Sequence, residues 1–169
     1  MRSLYIEFLY KHSLTEMLCW GAGLVLAWAV LSIVFRRWPG IWKWMNLFLF
    51  CAVVVFIFWR TVGNRTGWKQ EICLIPFYSF VAARSSPERY RSLVANILLF
   101  IPFGLTLPFC LSRNPVCATV LAAAIFSIVI EVSQYVFSLG LCETDDVIFN
   151  TLGAAFGTLA FVCSRKMEG

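Results

Sequence analysis

Charge is scarce in this chain. Asp, Glu, Lys and Arg make up 14% of its 169 residues, while 60% are hydrophobic. An ordinary soluble domain carries about 25% charged residues, so that class is excluded. Histidine is scarcer still, represented by His12 alone, and none of the seven cysteines forms a C-x-x-C pair. No zinc or haem ligand set follows from such spacing, and no metal or other cofactor is expected. Internal repeats, low-complexity linkers and aromatic-and-basic nucleic-acid modules are also missing. The net charge of +5 therefore bears on membrane topology and anionic lipid, not on nucleic acid.

What is abundant is apolar sequence in runs of bilayer length, about 20 residues each. The expected fold is an all-α integral membrane protein of about five transmembrane helices. The run from Met17 to Phe35 is long for a signal-peptide core, lacks a small-residue cleavage site and is stopped by Arg36-Arg37. It reads as an uncleaved anchor, with a capped start at Ser13 to Glu16. Trp38-Pro39-Gly40 reads as a turn, beside an interfacial cluster of Trp38, Trp42, Trp44 and Lys43. A second span follows from about Trp44 to Val62, so residues 1–62 form a two-helix anchor region and 63–169 a second membrane domain.

The longest polar connection, residues 63–91, contains the apolar piece Leu74 to Phe80. It is broken by proline and too short to span, so a re-entrant or surface-lying segment is expected. Ser86-Pro87-Glu88 opens a third span, which Pro102 should kink. Arg113-Asn114-Pro115 turns into a fourth span over about 116–138, and the fifth runs from about Asp145 to Cys163. Most cysteines fall in apolar runs, where the thiol is a small hydrophobe. Cys73 and Cys142 lie in loops, and a disulfide between them is one option.

Lysine and arginine set the orientation. One side carries Arg36, Arg37, Lys43, Arg113, Arg165 and Lys166; the other carries Arg2, Lys11, Arg60, Arg65, Lys69, Arg84, Arg89 and Arg91. The raw count by itself does not decide between them. Arg36-Arg37 and Arg165-Lys166 lie tight against helix ends, which places the C-terminus in the cytoplasm and the acidic loop outside a bacterial plasma membrane.

The polar residues inside the apolar runs carry the chemistry. A carboxylate at the centre of a membrane helix costs about 2.5–3.5 kcal/mol, so Glu131 reads as functional. Ser127, Glu131, Gln134 and Ser138 recur at spacings of four, three and four, one stripe on the fourth helix. Asp146, Asn150, Gly153 and Gly157 repeat the pattern on the fifth, where glycines admit a neighbouring backbone. A tight loop should set Gln134 and Ser138 against Asp146 and Asn150, with Glu131 a turn deeper. Arg91 and Asn96 on the third helix are the expected companions, the arginine offering its fork to a carboxylate or phosphate.

Glu131 and Asp146 are then the candidate catalytic bases, and Arg91, Asn96, Gln134, Asp145 and Asn150 the candidate substrate-binding groups. Plainer roles stand beside these. Ser127, Gln134 and Asn96 can act only as glue between helices, at about 0.6–2 kcal/mol each. Asp145 and Asp146 can cap the fifth helix, and together with Glu143 they can hold a divalent cation. Cys142 has no histidine near it in sequence to make it a nucleophile.

Four blocks stand out: Leu74-Ile75-Pro76-Phe77; Arg91-x4-Asn96 through Gly104; Glu131-x2-Gln134; and Asp145-Asp146-Val147-x2-Asn150-Thr151-x-Gly153. In order and spacing they resemble the VanZ family over about residues 74–157. The resemblance implies a small bacterial membrane protein, in a family some of whose members are linked to reduced susceptibility to the glycopeptide teicoplanin. It supplies a phenotype and no reaction. This chain departs from the family in having no basic residue between Arg113 and Arg165, and in Glu143 where an aspartate is usual. The first span and the Trp-rich turn lie outside the matched blocks. The function implied is protection against a lipid-tailed glycopeptide at the outer face, with membrane lipids or lipid-linked envelope precursors as partners. Three classes fit: an enzyme acting on a lipid headgroup, a lipid binder or transporter, and a membrane assembly subunit.

Overall fold

The computed structural model describes residues 14–63, 70–82, 87–111 and 115–166. Helices dominate them, because a bilayer offers the backbone no water and a helix satisfies its own amides. α1, Leu14–Val34, turns at Phe35–Arg37 into α2, Pro39–Phe58, which widens into a π turn at Trp59–Gly63. α3 is the short Tyr78–Ala82, and α4, Pro87–Thr106, tightens into a 3₁₀ turn at Leu107–Cys110. α5, Pro115–Val136, and α6, Thr144–Lys166, complete the bundle.

Among the described residues, four helices are long and apolar enough to cross a membrane: Pro39–Gly63, Arg89–Cys110, Pro115–Val136 and Thr144–Lys166. The all-α membrane fold is as expected, and the described residues meet four of the five spans. The expected first span coincides with α1, which is 21 residues long. Pro39 opens α2 instead of sitting in a turn, since its fixed φ and missing amide suit a first helical position. Pro102 lies inside α4, which continues helically to Thr106. The capped starts expected at Ser13 and Ser86, and the turn at Arg113-Asn114, lie outside the described residues.

A parallel two-stranded ribbon was not foreseen. β1, Gln70–Cys73, pairs with β2, Gly140–Glu143, with Gln70 opposite Gly140 and Cys73 opposite Glu143. The ribbon ties the connection after α2 to the connection before α6 and fixes both at one end of the bundle. Cys142 stands opposite Ile72, so strand alternation turns Cys73 and Cys142 to opposite faces. Both are free thiols, as are the other five cysteines.

The tightest packing joins α4 to α6. A Cβ on Gly153 would lie 2.1 Å from the Ile97 carbonyl oxygen, one on Gly157 2.2 Å from that of Ile101, and one on Gly104 2.0 Å from that of Ala154. No side chain fits at such distances, so glycine is what lets the two backbones meet. Ile97 faces Gly153 and Ile101 faces Gly157, so the two helices run parallel, both starting at the ribbon end. The Thr158 hydroxyl bridges them, reaching the Ala154 carbonyl at 2.8 Å and that of Gly104 at 3.3 Å.

Around this seam, Ile57, Phe100, Phe103, Leu107, Ala123 and Ile130 form one apolar cluster. A second gathers Trp28, Trp42, Leu105 and Phe161 toward the far end. Trp42 is therefore a core residue and not the interfacial one expected, while Trp38 and Trp44 are exposed. Its neighbourhood satisfies a buried amide: Trp28 Nε1 donates to Asn46 Oδ1 at 3.2 Å, and Asn46 Nδ2 donates to the Trp42 carbonyl at 2.8 Å.

Gly153→Ala should force α4 and α6 apart and lower stability by about 1–3 kcal/mol, read as a lower unfolding temperature in detergent. Gly40→Ala, where an added Cβ meets nothing within 4 Å, should leave that temperature unchanged. Equal behaviour of the two variants would show that the seam does not limit stability.

Candidate functional site

The ribbon end collects the polar side chains of three spans. Asn96 on α4 donates from Nδ2 to Asp146 Oδ1 on α6 at 2.7 Å. Glu131 on α5, only 4% exposed, accepts the Glu143 backbone N–H at 2.9 Å. Deeper in the bundle, Asn150 Nδ2 donates to Ser127 Oγ at 2.8 Å, tying α6 to α5. The Asn150 Oδ1 atom is buried with no hydrogen-bond partner. Each bond joins two different elements, and by such bonds buried polar groups offset the cost of lost hydration.

Asp145 does something the sequence did not indicate. Its carboxylate accepts the Phe77 N–H on one oxygen and, on the other, the N–H groups of Ser79 at 2.6 Å and Phe80 at 3.4 Å. These amides lie at the start of α3, so Asp145 caps α3 from a different helix. Phe77 sits in the left-handed region, φ 62, and the clasp on its amide holds that bend. The segment from Leu74 to Val81 thus becomes an apolar hook at the bundle's end, with Leu74 69%, Ile75 65% and Val81 59% exposed.

An ion-pair network flanks the hook. The Ser79 hydroxyl donates to Glu143 Oε2 at 2.8 Å and accepts from Arg89 at 3.2 Å; the Arg89 guanidinium stands 3.8 Å from Glu143 Oε1. It also lies over the Tyr78 ring, 5.8 Å from the centroid. Sequence reasoning singled out Arg91 and missed Arg89. The signal was present: Arg89 precedes Asn96 by seven residues, two helical turns, and so shares its face. Arg91 is half-buried on α4 with an interaction partner of its own.

The expected stripe on α5 is divided among three neighbours. Ser127 serves α6 and Glu131 serves β2. Gln134 also reaches a third neighbour: its Nε2 donates to the Thr61 carbonyl at the end of α2, at 3.1 Å. Ser138, φ 55, takes the left-handed turn that ends α5, where Leu139 N donates to the Gln134 carbonyl at 2.8 Å. Glu143, Asp145 and Asp146 point to different partners, and among the described residues no three donors converge on a metal position.

Cys142 lies in the ribbon, outside the spans. Burial pushes its thiol above the ordinary cysteine range, and Glu131, Asp146 and Glu143 push the same way, Glu131 also by a hydrogen bond. The thiolate is the reactive form, so Cys142 is a poor nucleophile at neutral pH.

Membrane-length helices capped at one end by a cluster of acids, amides and arginine define a polytopic membrane protein with its polar centre near one surface. The VanZ/LLP1 family model matches residues 44–165, and the chain belongs to that family. The match begins within α2 and runs to Arg165 in the last turn of α6. Protein VanZ of Enterococcus faecium is 30% identical over 98 residues, covering 58% of this chain and 56% of that relative. The chain thus spans a little over half of that relative's length. No solved structure matches it.

Two measurements check this geometry. Asp145→Asn turns one acceptor into a donor against the α3 amides, at a cost of about 1–3 kcal/mol. Hydrogen exchange at Phe77, Ser79 and Phe80 should quicken while α4 to α6 keep their protection; unchanged exchange there would remove the clasp. With Cys142 as the sole cysteine, the midpoint pH of its reaction with a neutral maleimide should lie above that of an exposed thiol. Glu131→Gln removes one negative neighbour and should bring that midpoint down; an unmoved midpoint would separate the two side chains.

Proposed function

We propose that this VanZ-family membrane protein reduces susceptibility to teicoplanin-type lipoglycopeptides by acting at the outer face of the bacterial plasma membrane. Its partners in this reading are membrane lipids or lipid-linked envelope precursors. One observation carries it: the acid, amide and arginine cluster adjoins an exposed apolar hook, held there by Asp145. A lipid-linked molecule has the matching division. Its chain would lie along Leu74, Ile75 and Val81, and its headgroup would meet Asn96, Asp146, Arg89 and Arg91. Arginine offers a forked contact to a phosphate, and Glu131 or Asp146 would be the base in an enzymatic version. The Enterococcus faecium relative is described as Protein VanZ, and the family resemblance supplies the link to teicoplanin.

A second reading has its own observation. The acids already hold internal partners: Asp145 three amides, Glu143 a serine and an arginine, Asp146 an asparagine. A cluster so satisfied also suits a structural role, with the protein as an assembly subunit.

Expression in a teicoplanin-susceptible bacterium tests the proposal. The intact protein should raise the inhibitory concentration, and Glu131→Gln and Asp146→Asn should each abolish that effect at normal protein level. The double variant should be no worse than either single one, as for residues that act as a unit. Mass spectrometry of the lipids divides the classes: a new or missing species requires chemistry, while unchanged lipids with protection retained require a binder. Loss of both variants from the membrane would favour the assembly role. An unaltered inhibitory concentration with the intact protein would reject the teicoplanin reading.

A further inference from the structure

At the opposite end of the bundle lies a cavity of about 500 Å³, between the 3₁₀ turn after α4, the start of α5 and the end of α6. Phe109, Leu111, Phe161 and Val162 contribute its walls, and Arg165 and Lys166 its rim; none of the described residues that line it is acidic. Along α6 its lining residues, Phe161 to Lys166, follow Asp146 by 15 to 20 residues, roughly 22–30 Å at 1.5 Å per residue. It is therefore independent of the site described above.

We infer that this cavity binds one anionic phospholipid, with the headgroup phosphate at Arg165 and Lys166 and an acyl chain against the aromatic walls. Two features lead there. The floor is built in advance: Phe109 packs edge-on against Phe161, centroids 4.8 Å apart, and is braced by Trp28 at 5.7 Å and Trp42 at 5.8 Å. A preformed apolar slot loses little freedom when a chain enters it. The charge of the described lining is basic and sits at a span's end, where a phosphate meets the membrane surface and basic pockets between helices take anionic headgroups.

The backbone offers an anion no help here. The last carbonyls of α6 present partial negative charge at this end. A phosphate here is held by the two side chains alone, so anion preference should vanish with them while the apolar slot persists. Arg37 and the exposed Lys43, the residue after Trp42, stand at the same end and add to the positive field. A second copy of this chain would bring the same positive end and be repelled, which favours lipid over self-association.

Native mass spectrometry of the purified full chain, given phosphatidylglycerol or phosphatidylcholine of identical acyl chains, tests the site. One phosphatidylglycerol should remain bound per protein, at least tenfold more tightly than phosphatidylcholine. Arg165→Gln with Lys166→Gln should weaken phosphatidylglycerol about tenfold to thirtyfold and leave the two lipids equal. Val162→Trp, which fills the slot, should weaken both. Both variants should unfold at the parent's temperature in lipid-free detergent. Equal affinity of the two lipids for the parent chain would overturn the inference. So would undiminished phosphatidylglycerol binding by the double glutamine variant, or a graded series of weakly held lipids with no tight first one.

Discussion

The contact of α4 with α6 is backbone on backbone, and the rest of the molecule depends on it. Gly153 and Gly157 lie four residues apart on one face of α6, and Gly104 answers from α4. In a bilayer no hydrophobic force draws helices together, so close van der Waals packing between small residues has to do it. The two helices run parallel, so both N-termini reach the same end of the bundle. There Asn96 comes within reach of Asp146. Larger residues along the seam would separate the helices and leave that bond to be made across a gap.

The acids at this end are costly groups in a low-dielectric setting, and each is given donors. Asp145 takes three amides from α3, Glu131 one from β2, and Glu143 is neutralised in part by Arg89. Because the donors belong to different elements, the hydrogen bonds also determine the tertiary arrangement: α3 is pinned to α6, and β2 to α5. The same low dielectric that makes an unpaired acid expensive strengthens each bond that is made. The cluster is thus a connected polar unit, and a ligand reaching it would have to exchange bonds with the protein instead of filling an empty hollow.

Much of this was legible in the sequence. Apolar length gave the spans to within a few residues, because a bilayer sets one length scale for all of them. Asn96, Glu131, Asp146 and Asn150 were recognisable as polar residues in apolar helices, and the spacing of Gly153 and Gly157 foretold close packing. The failures have a common origin in contacts remote along the chain. β1 and β2 are four residues each, too short for any period to show, and their pairing depends on the helices between them. Asp145 was readable as a cap, but not as a cap for another helix. Gln134 lies on the stripe that periodicity drew, yet it reaches α2 because α2 ends beside it. Side-chain direction along a helix follows from sequence, and the identity of the neighbour does not.

The central claim is that the polar groups of α4 and α6 form one coupled unit at the ribbon end. A double-mutant cycle on Asn96→Ala and Asp146→Ala, followed by equilibrium unfolding in detergent, measures that coupling directly. Residues that share a hydrogen bond at 2.7 Å should show an interaction energy of about 0.5–3 kcal/mol. Strict additivity of the two substitutions would mean that Asn96 and Asp146 do not interact, and would contradict the account.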